Sequence, residues 1–231
     1  MGLSLRARAS HLGKGVPRVK VPTPPRLFPP RREAEEPRAD GDKVSGARHW
    51  SIATGDATKR AMDIARDLTR IAQQEERLRF ERFDAGVAWQ IGSWLRNTAV
   101  SRGQSIAIDI ALNGAPLFYC ALVGATPNNA EWIRRKKNVL ARFHKSTYAV
   151  GLEYTRNETT LEARTGAPLQ DFVTAGGCFP IRIRGCEAVL GSITVSGLPE
   201  REDHELVVRC LAEHLGIDPE SLALDPPAAK T

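Results

Sequence analysis

The chain lacks several sequence patterns that would assign a function directly. No run of 18 apolar residues occurs in its 231 residues, so we predict no membrane-spanning helix and no membrane partner. The glycine fingerprint of dinucleotide-binding folds and the nucleophile elbow of hydrolases are also missing. The five histidines show no zinc-ligand spacing. The sequence therefore gives no support to these common enzyme classes.

Cysteine is scarce and carries no metal or redox motif. The four cysteines are Cys120, Cys178, Cys186 and Cys210, and none forms a C-x-x-C pair. Cys120 and Cys210 fall within apolar patterns, as small core residues do. We therefore expect no disulfide bonds and a reducing compartment.

Most of the chain has no net positive charge, although the whole sequence has a net charge of +6. Residues 1–48 hold eleven of the 33 Lys and Arg residues but only five of the 27 Asp and Glu residues, so the remainder is neutral. The same segment holds seven of the 15 prolines and few large apolar residues. We predict a disordered, basic, proline-rich tail over 1–48 and one domain over 49–231, with its core at about 56–216. A neutral body argues against a nucleic-acid partner.

Hydrophobic periodicity predicts an α+β fold. Two amphipathic helices precede the hairpin "QSIAIDIALNGAPLFYCALVG", in which "LFYCALVG" is apolar on both faces and is predicted to be a central strand. A helix over about 129–143 follows, then the hairpin "CFPIRIRG…AVLGSITV" and a last helix over about 199–215. A further strand is expected near 147–154. The result is a three-layer α/β arrangement, with a central antiparallel sheet of about five strands and helices on both faces.

The helix "NNAEWIRRKKNVLARF" places a lysine inside an apolar stripe. Lys136 shares a face with Trp132 and Val139 by its i, i+3, i+4 spacing. One interpretation is that Lys136 and Arg135 bind a carboxylate or phosphate. A second is a nucleic-acid grip. A third is a solvated basic face in which Lys136 extends its ammonium to water.

Two further segments allow both a functional and a structural interpretation. Gly176 and Gly177 either expose backbone N–H groups to a ligand or form a tight entry to a strand. In "TVSGLPEREDH", Asp203 and His204 project from the buried side of a helix start. They are either an iron ligand or acid–base pair, or a cap in which Asp203 accepts hydrogen bonds from the glycine-containing turn. His144 follows the basic helix.

These segments together resemble the haem-degrading domain family, in its uncharacterised cytosolic branch. The similarity lies in "GGCFPIRIRGCEAVLGSITVSGLPEREDHELVV", "NNAEWIRRKKNVLARFHKS" and "QEERLRFERF", and it runs from about residue 65 to 216. The resemblance implies a profilin-like domain, symmetric oligomers and, in some relatives outside this branch, haem binding or degradation. The residues that match the family pattern are Trp132, Arg135, Lys136, Gly176, Gly177, Pro180, Gly191, Ser196, Gly197, Asp203 and His204.

Three functional hypotheses follow. The first is a cytoplasmic homo-oligomer that binds haem, with haem degradation as an extension of this hypothesis and enzyme status left unassigned. Lys136 and Arg135 would hold the propionates, and His204 or His144 would bind the iron. The second is a non-catalytic oligomeric adaptor whose Trp132–Lys136 surface and Ser196–His204 turn form a subunit interface. The third is a sensor domain for a small organic acid. No catalytic residue is assigned by the sequence.

Overall fold

Four antiparallel strands form one sheet in the computed structural model, which describes residues 47–226 and side chains from residue 59 onward. The spatial order of the strands is β2-β1-β4-β3. The predicted disordered tail lies almost wholly outside the described residues. The strands are β1 (Ala107–Leu112), β2 (Ala115–Ala121), β3 (Cys178–Ile181) and β4 (Gly191–Ser196).

The helices and strands follow the expected order along the chain, except that two further helices precede β3. None of the helices within residues 47–226 is long and apolar enough to cross a bilayer. A 3₁₀ turn, Pro219–Ser221, follows the last helix. Within the described residues the helices are α1 (Ala47–Arg77), α2 (Ala85–Ser101), α3 (Pro127–Phe143), α4 (Thr147–Arg156), α5 (Leu161–Thr165) and α6 (Glu200–His214).

The two faces of the sheet differ in character because side chains alternate along each strand. Ile108, Ile110 and Ile193 point into the main apolar core, which α2 and α6 close from one side. Asp109 and Thr194 point to the opposite face, which α3 covers. This confirms the α+β class, the antiparallel sheet and the helices on both faces. The polar side chains of β1 and β4 thus lie under α3.

The sheet has four strands in the described part of the chain, rather than about five. The segment 147–154 is helix α4, since Ser146 caps its first turn and Tyr148 packs against α1 beside Ile71. The segment around Phe80 adds no fifth strand, because it pairs with Ile183, just after β3, through a single isolated parallel bridge. The profilin-like description stays a prediction.

The segment "LFYCALVG" is not a central strand, and the expectation that it would be is wrong. It contributes most of β2, which lies at an edge of the sheet. Phe118 packs under α2, whereas Tyr119 on the other face is 53% exposed. Both faces of β2 therefore carry apolar side chains, but only the face toward α2 is covered. Pro180 lies in the other edge strand, where a missing N–H is tolerated.

Gly92 tests how tightly α2 approaches β2. A Cβ atom at this position would lie 2.5 Å from two ring carbons of Phe118. We expect Gly92→Ala to lower the free energy of unfolding by about 1–3 kcal/mol despite the better helix propensity of alanine. Urea unfolding monitored by circular dichroism measures the change. Gln90→Ala, at an exposed position of the same helix, should stay within about 0.5 kcal/mol. Equal stability of the Gly92 variant and the wild type would contradict this packing.

Candidate functional site

Five of the predicted site residues meet in one pocket of about 300 Å³. The pocket lies where the first half of α3 meets the end of β4 and the start of α6. These three elements come from distant parts of the sequence, so only the fold assembles the site. We call this the ion-pair pocket; it is lined by Asn128, Asn129, Trp132, Lys136, Ala175, Ser196, Gly197, Leu198, Glu200 and Asp203.

A buried ion pair forms the inner wall of the pocket. The Nζ atom of Lys136 lies 2.8 Å from Oδ2 of Asp203 and 2.9 Å from the carbonyl oxygen of Val195. The two charged residues are 1% and 2% exposed. The second oxygen of Asp203 accepts a hydrogen bond of 3.0 Å from the backbone N–H of Leu198. The pair therefore ties α3 to β4, α6 and the turn between them.

The charges of this pair largely satisfy each other. Burial raises the pKa of the Asp203 carboxyl, and the adjacent Lys136 ammonium opposes that rise. Lys136 is buried, so the interpretation of a solvated lysine is wrong. Asp203 accepts a hydrogen bond from the turn after β4, as the capping interpretation expected. An ammonium has three N–H donors, and two of them are used by partners within the described residues. One N–H of Lys136 therefore has no acceptor among the described residues.

The glycine pair makes room for the ion pair. Gly177 has a φ of 112°, and a Cβ there would lie 2.6 Å from the oxygen of Val195 and 2.9 Å from Nζ of Lys136. At Gly176 a Cβ would lie 2.1 Å from the carbonyl oxygen of Glu200. Neither glycine lines the ion-pair pocket. Close backbone approach accounts for both residues without a ligand.

Arg135 stands at the edge of the pocket rather than in it. Its guanidinium lies 5.0 Å from the centre of the Trp132 ring, within the range of a cation–π contact. The Nε atom is buried and has no hydrogen-bond partner among the described residues. Trp132 itself is partly exposed and lines the pocket. The two side chains form a flat, cationic rim.

The structure places the two candidate iron ligands away from the pocket lining. His204 is fully buried, with Nε2 2.8 Å from Oε1 of Gln74. Because the Gln74 amide nitrogen donates to the Leu222 carbonyl, its oxygen must accept, so Nε2 of His204 carries the proton. The other ring nitrogen, Nδ1, is buried without a partner in the described region. His144 is exposed at the end of α3, about 12 Å along the helix from Lys136.

Sequence reasoning missed part of the lining. Asn129 precedes Trp132 and Lys136 by three and seven residues, so helical spacing alone would have placed it on the same face. Its side chain donates to the carbonyl oxygen of Ser196 at 3.0 Å. Leu198 and Glu200 carry no comparable signal, because their position depends on how the turn after β4 packs.

Comparisons with known proteins match most of the folded part. A family model described as haem-degrading protein HbpS-like matches residues 83–212. A UPF0303 protein of Paraburkholderia phymatum is 52% identical over 163 residues, which cover 71% of this chain and 98% of the relative. One from Acidobacterium capsulatum is 51% identical over 157 residues, covering 68% of this chain and 94% of the relative. The crystal structure of the Ybr137w protein is 28% identical with a TM-score of 0.61, covering 68% of this chain and 90% of that one.

Removing one partner of the ion pair should cost far more than removing both. We expect Lys136→Met to lower the free energy of unfolding by about 3–5 kcal/mol, because Asp203 is left buried without a counter-charge. Lys136→Met combined with Asp203→Asn should recover most of this loss. Denaturant unfolding of the four proteins in the cycle gives the coupling. The control is Lys145→Met, whose pair with Glu153 is exposed, and it should cost at most about 1 kcal/mol. A double variant no more stable than Lys136→Met would contradict the pairing.

His204 should make the fold sensitive to acid. Burial lowers its pKa from 6.5 to about 3, so the folded state holds the ring neutral while the unfolded chain binds a proton below pH 6.5. The stabilisation is complete above pH 6.5 and is lost as the pH falls towards 3, by about 1.4 kcal/mol per pH unit. Unfolding free energies of the wild type and of His204→Gln between pH 7.5 and 4.5 measure this slope.

The readout is the difference in slope, since His204→Gln also changes stability at neutral pH. The variant should lose the steep dependence below pH 6.5. His144→Gln, at an exposed position, should keep it. Parallel curves for the wild type and His204→Gln would show that the buried ring does not control the acid response.

Proposed function

The chain belongs to the family of haem-degrading proteins similar to HbpS, and from this premise we propose that it binds haem through a haem carboxylate at the ion-pair pocket. The observation that carries the proposal is the buried Lys136 ammonium, which lines the pocket with one donor left over. A charge-assisted hydrogen bond from an ammonium to a carboxylate is strong when water is excluded. The match of the family model confirms the family resemblance identified in the sequence.

The pocket favours a carboxylate through the hydrogen-bond donors that it offers, rather than through a positive net charge of its lining. Asp203 balances Lys136, and Glu200 adds a negative charge to the lining. The Arg135 guanidinium on the Trp132 ring supplies a further cation at the rim. A carboxylate therefore binds where it can use Lys136 and approach Arg135 together.

The lining fits the carboxylates of haem and does not fit its iron. Protein ligands of haem iron are histidine, cysteine, methionine or tyrosine side chains. None of the ten lining residues in the described chain is of these types. His204 lies inside the fold with its ring fully buried, and His144 is at the far end of α3. We therefore assign no iron ligand from this lining and derive no step of haem degradation.

A second candidate is a small organic acid. It is favoured by the polar lining of the pocket, in which asparagine, serine, lysine and acidic side chains outnumber apolar ones. Such a ligand needs no metal ligand and a volume close to 300 Å³ suits it. The adaptor hypothesis gains less support, because Lys136 and Asp203 are buried within one chain and contribute nothing to an outer surface.

The proposal includes the assembly and location expected from the sequence. We propose a homo-oligomer, as the family resemblance implies. We also propose a cytoplasmic location, because the four cysteines are free thiols, as is typical of reducing compartments.

Haemin titration of the full chain tests the proposal. We expect a sharpened, saturable Soret band in the wild type. The Lys136→Met/Asp203→Asn variant should bind at least about tenfold more weakly, since it loses a hydrogen bond to a charged group. Lys137→Met is the matched control, because Lys137 pairs with Asp109 outside the pocket and should bind as the wild type does.

Two further ligands separate the candidates. Iron-free protoporphyrin should bind with an affinity comparable to that of haemin, because the lining supplies no iron ligand. Succinate binding without haemin binding would favour the organic-acid candidate. A broad, non-saturating Soret band in the wild type, or wild-type haemin affinity in the double variant, would overturn haem binding at this pocket.

A further inference from the structure

The ring of Trp132 supplies most of the apolar surface of the ion-pair pocket. It is the one aromatic side chain among the ten residues that line the pocket in the described chain. The other apolar lining residues offer little, since Ala175 is small and the Leu198 side chain packs against the main core. Trp132 is only partly buried. The apolar part of a ligand in this pocket therefore has the indole ring as its main contact.

Arg135 changes the electrostatic character of this ring. Its guanidinium carbon lies over the Trp132 ring, 5.0 Å from the ring centre, although Arg135 does not line the pocket. The pocket therefore reaches the ring from the side that Arg135 leaves uncovered. The face of an aromatic ring is electrostatically negative, so two stacked faces repel each other unless they are offset. A cation over the far side of Trp132 reduces this repulsion, which favours an aromatic ligand on the near side.

Buried N–H groups without acceptors lie next to the ring. Lys136 is 1% exposed and has one N–H without an acceptor in the described chain, and the buried Nε of Arg135 has no partner there either. Buried donors of this kind cost free energy until an acceptor is supplied. Lys136 follows Trp132 by four positions on α3, so the two side chains are neighbours on one face of the helix. A ring on Trp132 therefore brings an attached carboxylate close to Lys136.

We propose that the ligand class of this pocket is a planar aromatic carboxylate, whose ring stacks on Trp132 while its carboxylate accepts a hydrogen bond from Lys136. Trp132 is then a specificity-determining residue that separates planar, conjugated acids from saturated acids of the same size. The inference rests on the proposed function, because it places the carboxylate at Lys136. It includes haem, whose macrocycle is planar and aromatic, and it ranks small aliphatic acids as weaker ligands.

The experiment compares 2-naphthoate with decahydro-2-naphthoate by isothermal titration calorimetry on the full chain. The two acids share one carbon skeleton and one charge, and only the first is planar and aromatic. Burial of apolar surface alone would favour the saturated acid or neither, because it has at least as much apolar surface. Stacking on Trp132 reverses this order, so 2-naphthoate should bind the wild type about three- to tenfold more tightly.

Two substitutions of Trp132 test the role of the ring. Trp132→Leu keeps an apolar side chain without a ring and should abolish the preference for 2-naphthoate. Trp132→Phe keeps an aromatic ring and should retain the preference. The matched control is Trp89→Leu, because Trp89 is an exposed tryptophan of α2 that does not line the pocket, and it should behave as the wild type. Circular dichroism verifies that each variant is folded.

The outcomes separate this inference from the proposed function. Equal affinity of the two acids for the wild type, or a preference that persists in Trp132→Leu, would overturn the aromatic specificity and leave carboxylate binding in place. If neither acid binds the wild type, the inference fails as well. The haemin titration of the wild type then shows independently whether haem binding stands.

Discussion

The site depends on one interaction, the buried pair of Lys136 and Asp203. Burying two charges costs several kcal/mol per ion, and only good geometry with further hydrogen bonds offsets that cost. The carbonyl of Val195 and the N–H of Leu198 supply those bonds. Gly177 allows the backbone to come close enough to enclose the pair. The pair therefore depends on residues far apart in sequence, because each supplies a hydrogen bond or a charge that another buried group needs.

This interaction also limits what the pocket can do. A lysine free of a partner would give a strongly cationic site, whereas the paired lysine offers a single directed donor. Recognition then depends on where a ligand places its acceptor, and on the Trp132–Arg135 rim. Under the proposed function, the pocket holds a haem carboxylate and supplies no iron ligand, because none of its lining residues is of a type that ligates haem iron. The residues that would hold a ligand are therefore not residues that would change it chemically.

Local pattern predicted most helices and strands, although not α4 and α5, and packing decided how the elements are arranged. Helical spacing placed Lys136 in an apolar stripe and Asp203 on the inner side of α6, and both positions hold. No local signal showed that they meet, since this depends on α3 and α6 approaching β4 from different sides. The apolar run of β2 indicated burial on both faces, but α2 covers only one. His204 looked available for a metal because sequence does not reveal its bond to Gln74 in α1, 130 positions away.

The two edges of the sheet are not equivalent. Next to β3, the backbone of Phe80 exchanges hydrogen bonds with Arg182 and Arg184, at 2.9 Å each, and so occupies part of that edge. The outer side of β2 has no such neighbour within residues 47–226. Open strand edges are templates for unwanted pairing between chains, and proline is one residue that blunts them. Pro116 lies in β2, where it removes one donor from the exposed row. The residue that blunts this edge is thus separate from the residues that build the pocket.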